Sequence, residues 1–259
     1  MPPYLEASDA RQHDDTLPAV AAVMSARPKK PSGKIGTQLR GKLQKDYLVR
    51  GKTRYSLWYA YSPKARADVV LHGDVQYYHF LLVESDPEVA SANYDVQPHA
   101  RRIVGEELGR VVNVEIRMAD GTVVWRCVRA EEKDFLATAV ANLQLLIDQR
   151  VHKELPQRAE VFTGTEITAN PVRIQNWNRL LPYLGQARAW PLHEFGNEVA
   201  TLLHTHDEVA LSEVTALAEP GLEALYVAAL IHGIQLGRFR SNVNEKPWGQ
   251  GSRFWVARS

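Results

Sequence analysis

The feature that most limits how this chain can fold is a hairpin. Val111 to Met118 and Thr122 to Val128 are two runs rich in Val and Ile, joined by Ala119-Asp120-Gly121. Asp-Gly between two apolar runs is a strong short-range hairpin signal, because Gly accepts the positive φ of a tight turn. Both runs are apolar enough to be central strands. A long helix is predicted from about Lys133 to His152, with Phe135, Leu136, Ala139, Val140, Leu143 and Leu146 on its apolar face. Upstream, Gly73 to Glu84 reads as a helix whose one apolar face carries Val75, Tyr78, Leu81 and Leu82. Asp74 is its natural N-cap and Pro87 closes it. Tyr55 to Tyr61 reads as a first strand, Val69 to Leu71 as its continuation, and Asn93 to Val104 as a further extended piece through Gln97-Pro98. A helix, a hairpin and a crossover helix imply an α/β layer rather than a bundle.

A second pattern follows. Pro171 to Leu184 is predicted as a helix with Ile174, Trp177, Leu180 and Leu181 inward, and Gly185 to Pro191 breaks it. Leu192 to Leu203, Leu211 to Ala218 (capped by Ser212 or its neighbour) and Leu222 to Leu236 read as three helices. Arg238 to Val243 and Arg253 to Ala257 read as two strands, enclosing residues 244–252 with Trp248 at the tip. Three helices and a hairpin make a winged-helix arrangement. The predicted divisions are a tail and basic arm over 1–50, an α/β domain over 51–155, a helical linker over 156–190 and the winged-helix-like domain over 191–259.

A net charge of +1 announces no nucleic acid, so the distribution of charge matters more. Arg27 to Arg54 holds Lys29, Lys30, Lys34, Arg40, Lys42, Lys45, Arg50, Lys52 and Arg54 against Asp46 alone. Such a run suits phosphate tracking, with Tyr47, Tyr55 and Trp58 available for sugar or base; a solvated linker is the bland alternative. In the last module Arg238, Arg240, Lys246 and Arg253 flank a third helix that carries no Lys or Arg, which leaves phosphate contact and protein docking both open. The lone Cys127 excludes an internal disulfide and a cysteine zinc cluster. No apolar run spans a bilayer, and a cytoplasmic protein without membrane attachment is expected. Phosphate-loop, nucleophile-elbow and dinucleotide motifs do not occur. His204-Thr205-His206-Asp207 reads as a polar helix end rather than a zinc motif.

Several phrases together resemble the TnsA-like endonuclease subunit of heteromeric transposases. They are Glu84-Ser85-Asp86-Pro87-Glu88-Val89, Asp95-Val96-Gln97-Pro98, the Val112 to Gly121 strand and turn, and downstream Thr165-Glu166-Ile167, Asn170-Pro171-Val172 and Asn176. The resemblance covers roughly residues 50 to 185. It implies a restriction-endonuclease-like mixed sheet flanked by helices, with carboxylates holding Mg²⁺ at the scissile phosphate and a lysine beside the water. The positions that carry that chemistry have changed here. The helix Glu falls on Gln76, the Asp opening the hairpin strand on Asn113, and the E-x-K phrase on Cys127-Val128-Arg129. An amide supplies no anionic ligand and Arg surrenders no proton near neutral pH.

Glu115, on the face of Asn113, is the best substitute ligand; Asp74, Glu84 and Asp120 are more simply explained as cap, helix-end and turn residues, and Asp95 is also nearby. Gln76 has a structural role available as the far member of a capping box, although Gly73 stands in place of the usual Ser. The expected function is a non-cleaving double-stranded-DNA-binding subunit without a cofactor, in transposition or the assembly of a DNA integration complex. The resemblance implies an integrase-type transposase and an AAA+ ATPase regulator as partners. Two alternatives stand beside it: a Mg²⁺-dependent endonuclease cutting transposon ends with a displaced carboxylate set, and a DNA-binding regulator outside transposition.

Overall fold

A computed structural model describes residues 56–131 and 134–257. The basic arm, with Lys29, Lys30, Lys34, Arg40, Lys42, Lys45, Arg50, Lys52 and Arg54, lies outside the described residues, as do Tyr47 and Tyr55. The described chain is mixed α/β, with several sheets flanked by helices.

β1 (Leu57–Ser62) and β2 (Ala67–His72) pair antiparallel as a separate ribbon. Next come α1 (Asp74–Glu84), β3 (Val89–Asn93), α2 (Gln97–Val104), α3 (Glu106–Gly109), β4 (Val114–Met118), β5 (Val123–Val128), α4 (Asp134–Asp148) and β6 (Arg158–Phe162). Strands β3 to β6 form one sheet in sequence order, in which β3-β4 and β4-β5 are antiparallel and β5-β6 parallel. The parallel pair requires a crossover, and α4 supplies it. The predicted hairpin closes as its residues dictate: Gly121 takes φ 88° and the Asp120 carboxylate accepts the Thr122 N–H at 2.8 Å.

Each face of this sheet is covered at β5, which is why β5 reads as a nearly continuous apolar run, whereas β4 alternates Val114 and Ile116 with Glu115 and the exposed Arg117. Val114, Ile116 and Val124 pack with Val83 of α1. Trp125 and Cys127, on the opposite face, pack with Leu136, Ala139 and Leu143 of α4 and Ala100 of α2.

The remaining elements are α5 (Gly164–Thr168), α6 (Pro171–Ala187), α7 (Leu192–Thr205), β7 (Val209–Ala210), α8 (Leu211–Thr215), α9 (Glu223–Gln235), β8 (Phe239–Ser241) and β9 (Arg253–Val256). The last three strands form a sheet in the order β7-β9-β8. A single hydrophobic cluster joins Val69 and Leu71 of β2, Phe80 and Leu81 of α1, Trp177 and Leu180 of α6, Val199 of α7 and most of α9. Gly233 lets α9 meet the Phe239 ring closely, since a Cβ there would lie 2.2 Å from it.

Three local expectations are corrected. Helix α1 has no single apolar face: every residue from His79 to Glu84 is buried, whereas Tyr78 is 37% exposed. Sheet on one side and α6 and α9 on the other leave it no solvent face over its second half. Gln97 to Val104 is helical rather than extended, because Pro98 occupies the first turn, where a missing N–H costs no hydrogen bond. Trp248 is not an exposed wing tip. Its N–H bonds Asn176 Oδ1 at 2.9 Å and its ring lies 6.2 Å from that of Phe254. No helix among the described residues is long and apolar enough to cross a membrane.

Candidate functional site

Asn113 stands directly before β4, opposite the end of β5. Its Oδ1 accepts the Val128 N–H at 2.8 Å and Arg129 Nη1 at 2.6 Å. Gln76 lies in the first turn of α1, where its Oε1 accepts the His72 N–H at 3.0 Å. The helix-start role foreseen for Gln76 therefore exists, but it reaches one residue beyond Gly73, the cap. Asp74, expected at the cap, is instead the first helical residue and accepts Trp58 Nε1 at 2.8 Å.

Gln76 and Asn113, 37 positions apart by number, line one cavity of about 200 Å³ together with Tyr94, Asp95 and Gln97. The orientation of both amides follows from chemistry. A backbone N–H must face an oxygen, so His72 and Val128 fix which end of each amide is the carbonyl. Two donors occupy the Asn113 oxygen and one the Gln76 oxygen, which leaves an NH₂ donor on each side chain and one lone pair on Gln76. The Arg129 guanidinium behind Asn113 draws on the same oxygen, which strengthens the donor character of its NH₂. A divalent hard cation needs the reverse, anionic oxygens converging on one point. Asp95, exposed, is the one carboxylate lining this cavity. Among the described residues no group of three His, Cys, Asp or Glu side chains is placed to hold a metal ion.

Cys127 is fully buried, and burial pushes its thiol up to about 12. Burial also holds Arg129 below the usual guanidinium range. Glu115 follows Asn113 on its strand face, and its carboxylate takes the Trp125 indole N–H at 2.8 Å. It does not line the cavity.

A second polar centre lies behind α1, around Glu84, which from the sequence alone is simply a helix-end residue. The Glu84 carboxylate is completely buried. It accepts Ser62 Oγ at 2.5 Å, the Lys64 N–H at 3.4 Å and Gln235 Nε2 at 3.1 Å. Lys64 Nζ meets the Val83 carbonyl at 2.8 Å and that of Asp86, while Arg173 reaches Ser85 Oγ at 2.6 Å and the Leu82 carbonyl at 3.3 Å. Two cations thus satisfy carbonyls left open at the end of α1, as the helix dipole favours. Burial raises Glu84 to about 7, against the pull of Ser62 and Lys64, and lowers Lys64 to about 8. The available signal was periodicity: Glu84 falls four residues after Phe80 and three after Leu81, on an apolar row. On the sheet side of α1, His79 is buried and driven down to about 3 by desolvation and by Arg126, which itself pairs with Glu160 at 3.1 Å.

The basic residues of the last module separate into two groups. Arg238, Arg240 and Lys246 are exposed. Arg253 is half-buried, bound to Glu208 at 3.3 Å and to the Gln250 carbonyl at 3.0 Å. Helix α9 is buried from Leu225 to Ile231, so it presents no face to a DNA groove. Trp58, expected to be available for a base, is stacked on Tyr77 with centroids 4.1 Å apart. His206 Nδ1 contacts Thr205 Oγ1 at 2.9 Å and the Leu202 carbonyl at 3.1 Å, a helix-end arrangement. Set against known protein families, curated proteins and solved structures, the chain finds no match.

Proposed function

We propose that this chain binds double-stranded DNA without cutting it, as a subunit of a transposition or DNA integration complex. The element order supports the reading. A helix, a three-stranded antiparallel meander, a crossover helix and a parallel fourth strand follow the plan expected of a restriction-endonuclease-like core. The order α7, β7, α8, α9, β8, β9 likewise suits a winged helix.

One observation carries the proposal. Gln76 and Asn113, chosen from sequence because they stand where a nuclease would have carboxylates, line the same cavity, and Arg129 is bonded to the second of them. Both are neutral amides, with the Asn113 oxygen bonded twice and the Gln76 oxygen once, so the site offers neutral groups where catalysis needs anionic ligands. DNA affinity then rests on phosphate contacts from the 27–54 arm and from Arg238, Arg240 and Lys246, without base reading by the buried α9. An integrase-type transposase and an AAA+ ATPase regulator are the proposed protein partners.

The test pairs a mobility shift on a short duplex with a nicking assay on supercoiled DNA, in EDTA, Mg²⁺ and Mn²⁺. Equal binding in all three, with no nicking, is expected. Joint charge reversal at Lys29, Lys30 and Lys34 is expected to weaken binding and flatten its salt dependence. Nicking that needs Mg²⁺ and disappears in Glu115→Ala overturns the non-cleaving reading.

A further inference from the structure

A cleft of about 470 Å³ opens where the β1–β2 turn, the α1–β3 connection and the end of α9 meet. It lies beside the buried Glu84 centre but faces outward, and none of its lining residues is acidic. Its walls are partly apolar: Pro63, Pro87 and Leu236 are among them, and Leu236 is 51% exposed. Arg66 stands at the turn with φ 51°, a left-handed conformation unusual for a residue with a side chain. Its guanidinium has no ion pair or hydrogen bond among the described residues. Lys64 also lines the cleft, but its ammonium is held on the Val83 and Asp86 carbonyls. The Asp86 carboxylate accepts the Glu88 N–H at 3.0 Å and does not line the cleft. Ser91 and His232 add hydrogen-bonding groups. The cleft therefore combines a cation without an ion pair among the described residues, apolar wall residues and a volume within the range of small-molecule sites.

We propose that this cleft binds a small organic anion, a carboxylate or phosphate carried on a short apolar body. Arg66 takes the headgroup, and Pro63, Pro87 and Leu236 hold the body. Because the walls come both from the β-layer and from α9, an occupant stabilises the junction between them in proportion to its saturation. The site is separate from the Gln76–Asn113 cavity and does not depend on DNA binding.

The test uses the full chain with hexanoate, hexyl phosphate and hexylammonium, read by calorimetry and thermal melting. Saturable binding of one molecule of hexanoate or hexyl phosphate, with a raised melting temperature, is expected; hexylammonium should not bind. The stronger of the two anions identifies the headgroup. Arg66→Glu should weaken that binding by about tenfold or more, the loss of one charge-assisted hydrogen bond. Ala90→Trp, which fills the cleft from an exposed position of β3, should abolish it. Both variants are expected to melt as the parent does without ligand. Binding of neither anion, binding equal to that of hexylammonium, or binding unchanged in either variant overturns the proposal.

Discussion

The side chains of Glu84 and Gln235 meet at 3.1 Å across 151 positions of sequence, and both are buried. Gln235 also donates to the Glu84 main-chain carbonyl at 2.9 Å. The last residue of α9 thus closes the end of α1, and the charge state of one carboxyl is set by the docking of two distant parts of the chain.

That link has a pH signature. Burial raises Glu84 from 4.5 to about 7, so its contribution to stability is full below 4.5 and is lost as pH rises through 7. Burial and Arg126 lower His79 from 6.5 to about 3, so its contribution is present above 6.5 and lost as pH falls. Between those ordinary values the two oppose each other, at up to about 1.4 kcal/mol per pH unit each. Glu84→Gln should leave stability rising more steeply with pH over that range, and His79→Phe should leave it falling. Urea unfolding at a series of pH values checks both, and identical slopes in parent and variants would count against the assignment.

Asn113 offers a cleaner comparison of isosteres. Asn113→Ala leaves the Val128 N–H and Arg129 without their acceptor, an expected loss of about 1–3 kcal/mol. Asn113→Asp keeps both bonds and adds a charge opposite Arg129, so it should match or exceed the parent in stability. Denaturant midpoints separate the cases. If the aspartate is as damaging as the alanine, the orientation given to the amide is wrong.

Asn176 holds the 243–252 segment with three bonds, donating to the Val243 carbonyl at 2.6 Å and the Lys246 carbonyl at 2.7 Å and accepting from the Trp248 main-chain N–H. Asn176→Ala should cost about 2–4 kcal/mol and make that segment the first site of proteolytic cutting. Asn176→Asp should be at least as harmful, because a carboxylate cannot donate to two carbonyls.

Cys127 is the sole cysteine, which makes its reactivity easy to read. Buried and pushed up to about 12, it should stay inert to a disulfide reagent in the native protein near pH 8 and react fully on unfolding. Rapid reaction in the native state would place it at the surface.

The parts of the fold visible in the sequence were those with local causes. Asp120-Gly121 specified the hairpin, and the apolar repeat from Leu136 to Leu143 specified a helix able to cross over it. What stayed hidden depended on remote partners. Nothing near Tyr78 indicates that residues 79–84 are enclosed on every side, because the enclosing groups lie in α6 and α9. Pro98 reads as a break unless its place in a first helical turn is known. Trp248 looks like a loop tip until Asn176, 72 residues earlier, is seen to hold it. Gln76 and Asn113 were singled out through a family likeness, but the 37 positions between them say nothing of a shared cavity. The burial of Glu84 is hidden in the sequence because a carboxylate at a helix end is ordinarily solvated.

The enclosure of α1 bears on how the protein is made. During synthesis the four-stranded sheet is complete in sequence by Phe162, yet the rear of α1 has only the β1–β2 ribbon and Tyr94 to lie against until α6 and α9 have emerged. Until then Phe80 and Leu81 have only part of their cover, from Val69, Leu71 and Tyr94, and Glu84 lacks Gln235. Native packing of the first half must wait for the second. The nascent chain therefore passes through an interval in which chaperone binding and aggregation compete for the same apolar surface.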